Sequence, residues 1–456
     1  MKKLKKLSSL YLFLLFFIFY FSSIFDRSFV GLNIFGFRLG ELVVLLMFLQ
    51  SVLIIFFNKK IKAFLKIEIF STPILLFKLI LTTFVISLIY HNTNFLSAYT
   101  YKTSSYIWMC SLFFATYFLF KNHFLDIQHI KNIRRIVLTF SAIPFVHYLF
   151  SSGYYPNFII DFFNNHSDKF NFTKASDIMI VLVMANLLFF NFFKKTRLAF
   201  IYFSMTVPLL LPLLLEMSRG SFLGALSFLF LVIIYNLRFF IKNPMFSILI
   251  FAISSIFFIA STYRISGIEF NLSQRDSIVV DTSISGNIAK IAAKKDTRKA
   301  FFSFYIQDGR LVSDDNTTNW RLDIWQDVIE DLTDKNSLTQ GYGYNSIIPV
   351  MTDPTAPGRL GRDGLNENVH SYIFNIIARG GVYQLILFFF FHLSIVLIWR
   401  KRYNNLDILL FMIPVFINSF TDMNMEGVQF PFLYYFFLGL YFKIYEHKND
   451  LINHSY

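Results

Sequence analysis

Three residues combine charge or a titratable ring with a setting that chemistry can use: Arg219, Arg321 and His370. Arg219 stands in Met217-Ser218-Arg219-Gly220-Ser221, a junction between two apolar runs with almost no loop between them. An arginine at membrane depth is costly and normally faces a cavity and a partner. A helix starting at Ser221 would add the positive end of its dipole, so the junction suits an anion. Arg219 is therefore either a phosphate ligand or an interfacial arginine whose head reaches lipid headgroups. Arg321, between Trp320 and Trp325, is an ordinary helix-surface arginine when taken alone. Paired with Arg219 it becomes the second arm of an anion clamp, because guanidinium forks grip phosphate oxygens two at a time. His370 opens an apolar run in Val369-His370-Ser371-Tyr372. An unperturbed imidazole titrates near neutrality and suits a general base, although a lone histidine at that position also serves as a cap.

A second tier of charged residues carries weaker signals. Arg38 and Glu41 are spaced i,i+3, which makes either an ion pair or two groups lining the same cavity. Arg359 and Arg362 lie among Pro354, Pro357, Gly358, Gly361 and Gly364, an irregular segment expected to act as a mobile flap. Arg379, Asp422 and Glu426 are ionisable groups placed near the same outer face. The adjacent acids Asp314-Asp315 are weak evidence for a metal, and no metal site is expected. No phosphate-binding loop, HExxH, GxSxG or cysteine–zinc spacing occurs in the chain. Its single cysteine, Cys110, excludes an intrachain disulfide.

The elements that must position these residues are membrane helices. Of 456 residues, 55% are hydrophobic, 20% aromatic and only 15% charged, with 62 phenylalanines; the mean hydropathy is +0.53. A soluble chain of this size has no core large enough to hide that much apolar surface. Apolar runs near 8–25, 38–57, 69–90, 104–120, 136–150, 176–193, 198–217, 221–240, 245–262, 371–399, 406–420 and 430–446 match the thickness a spanning helix must cross. The fold class is thus all-α and polytopic, with about 12 transmembrane helices. The first run is longer than a secretory signal core and no small-residue cleavage site follows it, so it is read as a retained span.

Alternate short loops on one side hold 22 Lys/Arg, against six in the short loops opposite. By the positive-inside rule both termini are cytoplasmic. The chain then divides into nine helices in residues 1–262, a large external loop at 263–370, and three helices in 371–456. That loop holds 12 Lys/Arg against 15 Asp/Glu, so the net charge of +14 comes from the cytoplasmic loops. No clustered basic face suggests nucleic acid. Within the loop a helix is expected at 319–332 from the apolar period of Trp320, Ile324, Trp325, Val328, Ile329 and Leu332, and a second around 285–304. A transporter of lipid-linked sugar or small anions is the competing class. It would place ionisable residues mid-span, where this chain has almost none apart from Lys78.

Taken together, Ser218-Arg219-Gly220, Arg321 with Trp325, Gly341-Tyr342-Gly343, and His370-Ser371-Tyr372 with Gly380-Gly381 resemble the O-antigen ligase/polymerase superfamily of bacterial membrane glycosyltransferases. The likeness covers roughly residues 198–399. It departs in having Ser371 where the family pattern usually has Asn after the His. The resemblance implies a GT-C-like architecture in the bacterial inner membrane with the loop periplasmic. It implies an inverting, metal-independent and cofactor-free transfer of an undecaprenyl-diphosphate-linked glycan to an acceptor. In that reading Arg219 and Arg321 hold the diphosphate, and His370 is the general base. Arg38, Glu41, Arg359, Arg362 and Arg379 are further substrate contacts. The expected partners are lipid-linked donor and acceptor, membrane lipid and a chain-length regulator. A polymerase is preferred over a ligase that moves glycan to lipid A-core.

Overall fold

Lipid offers no hydrogen bonds to a bare backbone, so segments this apolar must satisfy their peptide groups internally, as helices. The computed structural model describes residues 2–57, 70–123, 137–150, 155–168, 174–192, 196–266, 303–345, 347–356, 359 and 368–453. In chain order these form α1 (Lys2–Val30), the short hairpin β1 (Asn33–Ile34) and β2 (Phe37–Arg38), α2 (Leu39–Val52), α3 (Ser71–Tyr90), α4 (Ala98–Thr103), α5 (Ser105–His123), α6 (Ile143–Phe150), α7 (Asn157–His166) and α8 (Ala175–Phe192). There follow α9 (Thr196–Met217), α10 (Arg219–Tyr235), α11 (Leu237–Lys242), α12 (Pro244–Ser266), the hairpin β3 (Phe304–Gln307) and β4 (Arg310–Ser313), α13 (Asn316–Asp334), α14 (Tyr372–Tyr403), α15 (Leu409–Thr421) and α16 (Gln429–Asn453). The protein is mostly helical and has the character of an α-helical membrane protein.

A helix lies on each of the apolar runs, but among the described residues five are long and apolar enough to cross a membrane unaided: Phe13–Val30, Ser71–Tyr90, Thr196–Met217, Pro244–Ile265 and Tyr372–Tyr403. Three of the shorter runs carry a visible irregularity. α2 changes to a π-helical turn at Leu53–Phe57. α10 breaks at Asn236 before resuming as α11, and α15 carries Pro414 inside its 13 residues. Each interruption takes backbone out of the roughly 20-residue length that a straight span needs.

The aromatic richness is spent on packing between helices. Trp399 is fully buried and stacks on Tyr441 at 5.0 Å, joining α14 to α16, while α12 buries few of its residues completely. A second, smaller core lies under α13. Leu322, Ile324, Trp325, Val328 and Leu332 pack with Ile348, Val350, Met351, Val369, Ile377 and Ala378. The apolar period read from the sequence thus corresponds to the face that α13 presents to the start of α14. The helix is longer than expected, because Asp315 caps it three residues earlier.

Two hairpins qualify the all-α expectation. β3 and β4 turn through Asp308 and Gly309, both at positive φ, the Asp-Gly pair that suits a two-residue hairpin. The helix expected around 285–304 lies outside the described residues up to 302, and Phe304 begins β3.

Candidate active site

The junction at Arg219 is built by a helix start. Ser218 is the N-cap of α10, its hydroxyl accepting from the Ser221 amide at 3.5 Å, and Arg219 is the first helical residue. Gly220 is required beside it, since a Cβ there would run into the Thr421 side chain at the end of α15. The Arg219 guanidinium forms an ion pair with Asp315. Asp315 is also the N-cap of α13, accepting from the Thr318 amide at 2.8 Å. Burial pushes the Asp315 carboxyl up, but hydrogen bonds from Arg219 and Thr318 outweigh it and hold the group below its usual range.

Arg321, half-buried on α13, donates from Nη1 to the Thr421 carbonyl at 2.6 Å. Its buried Nε makes no hydrogen bond among the described residues. Burial pulls its guanidinium below the ordinary arginine range; Asp422 opposes this and the nearby charge of Arg219 adds to it. The contacts close a ring. Arg219 holds Asp315, Asp315 caps the helix that carries Arg321, Arg321 holds Thr421, and Thr421 packs on Gly220 next to Arg219.

His370 adjoins this ring. Its backbone takes the left-handed conformation, φ 55°, which is uncommon for a non-glycine residue and marks a constrained turn. Asn368 Oδ1 accepts from its amide at 3.3 Å, and its ring sits 4.7 Å from that of Trp320. Ser371, in place of the family's usual Asn, caps α14 by accepting from the Phe374 amide at 3.5 Å. Trp325 fixes the approach by donating to the Val369 carbonyl at 2.7 Å and stacking on Phe374. Burial lowers the His370 pKa to about 4, helped by the charges of Arg321 and Lys174 and opposed by Asp422. The imidazole is therefore neutral at physiological pH, with a lone pair able to accept a proton.

The glycine motifs do a different job. α14 kinks at Gly381, φ 73°, where the Thr339 carbonyl leaves no room for a Cβ. The kink lets the loop dock on helix carbonyls, with the Tyr342 amide donating to Ala378 O at 2.7 Å and the Gly343 amide to Arg379 O at 3.0 Å. Arg379 is buried in this latch, donating to Tyr99 Oη at 2.9 Å. Arg359 is buried too, bonded to the Val350 carbonyl at 2.8 Å and paired with Asp323 at 2.6 Å and with Asp327. Arg359 is thereby held to α13, while most of the segment expected to act as a flap lies outside the described residues. Arg362 lies outside the described residues. Arg38 pairs with Glu41 and Asp168 at 3.2 Å each, at the surface.

The structure thus brings Arg219, Arg321 and His370 together, and puts Arg38, Glu41, Arg359 and Arg379 in separate structural contacts. Sequence reasoning missed three members of the cluster. Asp315 registered only as half of an acidic pair. Lys174, just before α8, registered only as a basic loop residue. Thr421 contributes a backbone carbonyl, which no side-chain pattern announces.

The model of the O-Antigen ligase family matches residues 205–389. The match takes in Arg219, Arg321, His370 and both glycine motifs and stops short of Thr421. It supports a relation to the O-antigen ligase/polymerase superfamily, without separating ligase from polymerase. No curated protein matches the chain.

Proposed function

On the footing of the O-antigen ligase/polymerase superfamily, we propose that this protein is an O-antigen polymerase, joining undecaprenyl-diphosphate-linked repeat units at the periplasmic face of the inner membrane. The observation that carries the proposal is the convergence of Arg219, Arg321 and His370 from α10, α13 and the entry to α14. Transfer needs positive charge where the diphosphate leaves and a proton acceptor where the sugar hydroxyl attacks. Arg321 presents buried guanidinium donors and Arg219 stands at a helix N-terminus, so both suit the diphosphate oxygens. Neutral His370 takes the hydroxyl proton as the acceptor oxygen bonds to the anomeric carbon and the carbon–diphosphate bond breaks. Attack opposite the leaving group inverts the configuration. Anion binding beside Arg321 offsets one of the charges that depress His370, so the base strengthens when donor is bound.

The same family match leaves a second reading open, a ligase transferring finished glycan to lipid A-core. A deletion strain separates them. Lipopolysaccharide whose core carries a single repeat unit supports the polymerase, whereas a bare core with accumulated lipid-linked polymer supports the ligase. In either case His370→Ala and Arg219→Ala should insert normally and reduce complementation by at least about 100-fold, the scale expected for loss of a general base or of leaving-group stabilisation. Normal chain extension by His370→Ala would remove the base from the mechanism.

A further inference from the structure

We propose that Asp315 is an internal competitor for the donor diphosphate: it holds the Arg219 guanidinium until the lipid diphosphate displaces it. This rests on the reading of Arg219 given above. The two partners are unequally anchored, the Asp315 side chain being 11% exposed and that of Arg219 47%. Asp315 does not depend on Arg219 for its hydrogen bonds, because it caps α13 by accepting from both the amide and the hydroxyl of Thr318. When the guanidinium leaves, the carboxylate keeps those bonds and the helix keeps its cap. The arginine is on the exposed side and has a long, flexible stem, so it is the partner that swings. A carboxylate and a phosphate compete for the same fork geometry, and the diphosphate brings more charge. The exchange is between anions on one cation, and no bond is made or broken.

The same carboxylate caps the helix carrying Arg321, so release of Arg219 leaves the second arginine in place. Asp315 therefore sets the threshold at which an anion engages the site. A lipid carrying a single phosphate, abundant in the surrounding bilayer, competes less well for Arg219 than a diphosphate does. That makes Asp315 a specificity residue.

Asp315→Asn tests this, because asparagine caps a helix as well as aspartate does while removing the charge that competes. Binding of farnesyl diphosphate, a soluble lipid diphosphate, is measured by calorimetry on the purified full-length protein, alongside farnesyl monophosphate. D315N should bind the diphosphate about fivefold more tightly, the effect expected from a part-exposed ion pair, and should discriminate less against the monophosphate. A folding defect cannot produce tighter binding. Unchanged or weaker diphosphate binding by D315N overturns the proposal. Arg219→Gln with wild-type affinity would instead remove Arg219 as a diphosphate ligand, and with it the reading on which the competitor rests.

Discussion

A histidine that must act as a base is poorly served by positive neighbours, yet Arg321 and Lys174 both face His370, with Asp422 as the opposing charge. The consequence is measurable. In the mechanism we propose, neutral imidazole is the active form, so activity should be lost as pH falls through the His370 pKa of the substrate-free protein, about 4. kcat/KM should stay level from neutrality down to roughly pH 5 and fall below that. Lys174→Gln removes a depressing charge, and its acid limb should move upward, toward the ordinary histidine value. A limb already near pH 6.5 in the wild type would mean that His370 is solvated and not the buried group described here. At this scale the sequence was informative where function rests on side-chain type. Arg219, Arg321 and His370 stood out because cations and imidazoles are rare in so apolar a chain. Arg359 misled for the same reason. Its pairing with Asp323 and Asp327 spans more than thirty positions, and its irregular surroundings resembled a flap.

Among the elements, α13 was legible from its apolar period and the paired glycines stood out as motifs, but the service those glycines perform was not legible. Gly341-Tyr342-Gly343 and Gly380-Gly381 form one latch, in which a kinked helix lends its carbonyls to a loop. Gly381→Ala forces a Cβ into a glycine-only backbone conformation and against the Thr339 carbonyl, a change that should cost about 2 kcal/mol or more locally. Hydrogen exchange should show the Tyr342 and Gly343 amides losing protection while the far end of α14 keeps its own. Uniform loss along α14 would point to general unfolding instead. The hairpin β3–β4 was readable in principle, from Asp308-Gly309 between two short runs holding aromatic and branched residues. Its position inside a long polar segment hid it, since no apolar core signal accompanies it.

For the whole molecule, each apolar run coincides with a described helix, yet run length could not tell a straight span from one interrupted by a π-turn or an Asn break. The arrangement we propose, with both termini cytoplasmic and the large loop periplasmic, predicts a labelling pattern. In a Cys110→Ser background, Asp308→Cys at the hairpin tip should react with a membrane-impermeant thiol reagent in cells with a permeabilised outer membrane. Arg238→Cys should react only after the inner membrane is opened. The reverse pattern would invert the protein and put the site on the wrong side for a periplasmic transfer.

The bond from Arg321 to the Thr421 carbonyl joins positions 100 residues apart. During synthesis the ribosome must deliver α14 and α15 to the membrane before that bond exists. A nascent chain therefore carries Arg219 and Arg321 for some time without the assembled cluster, and the arrival of α14 and α15 completes it.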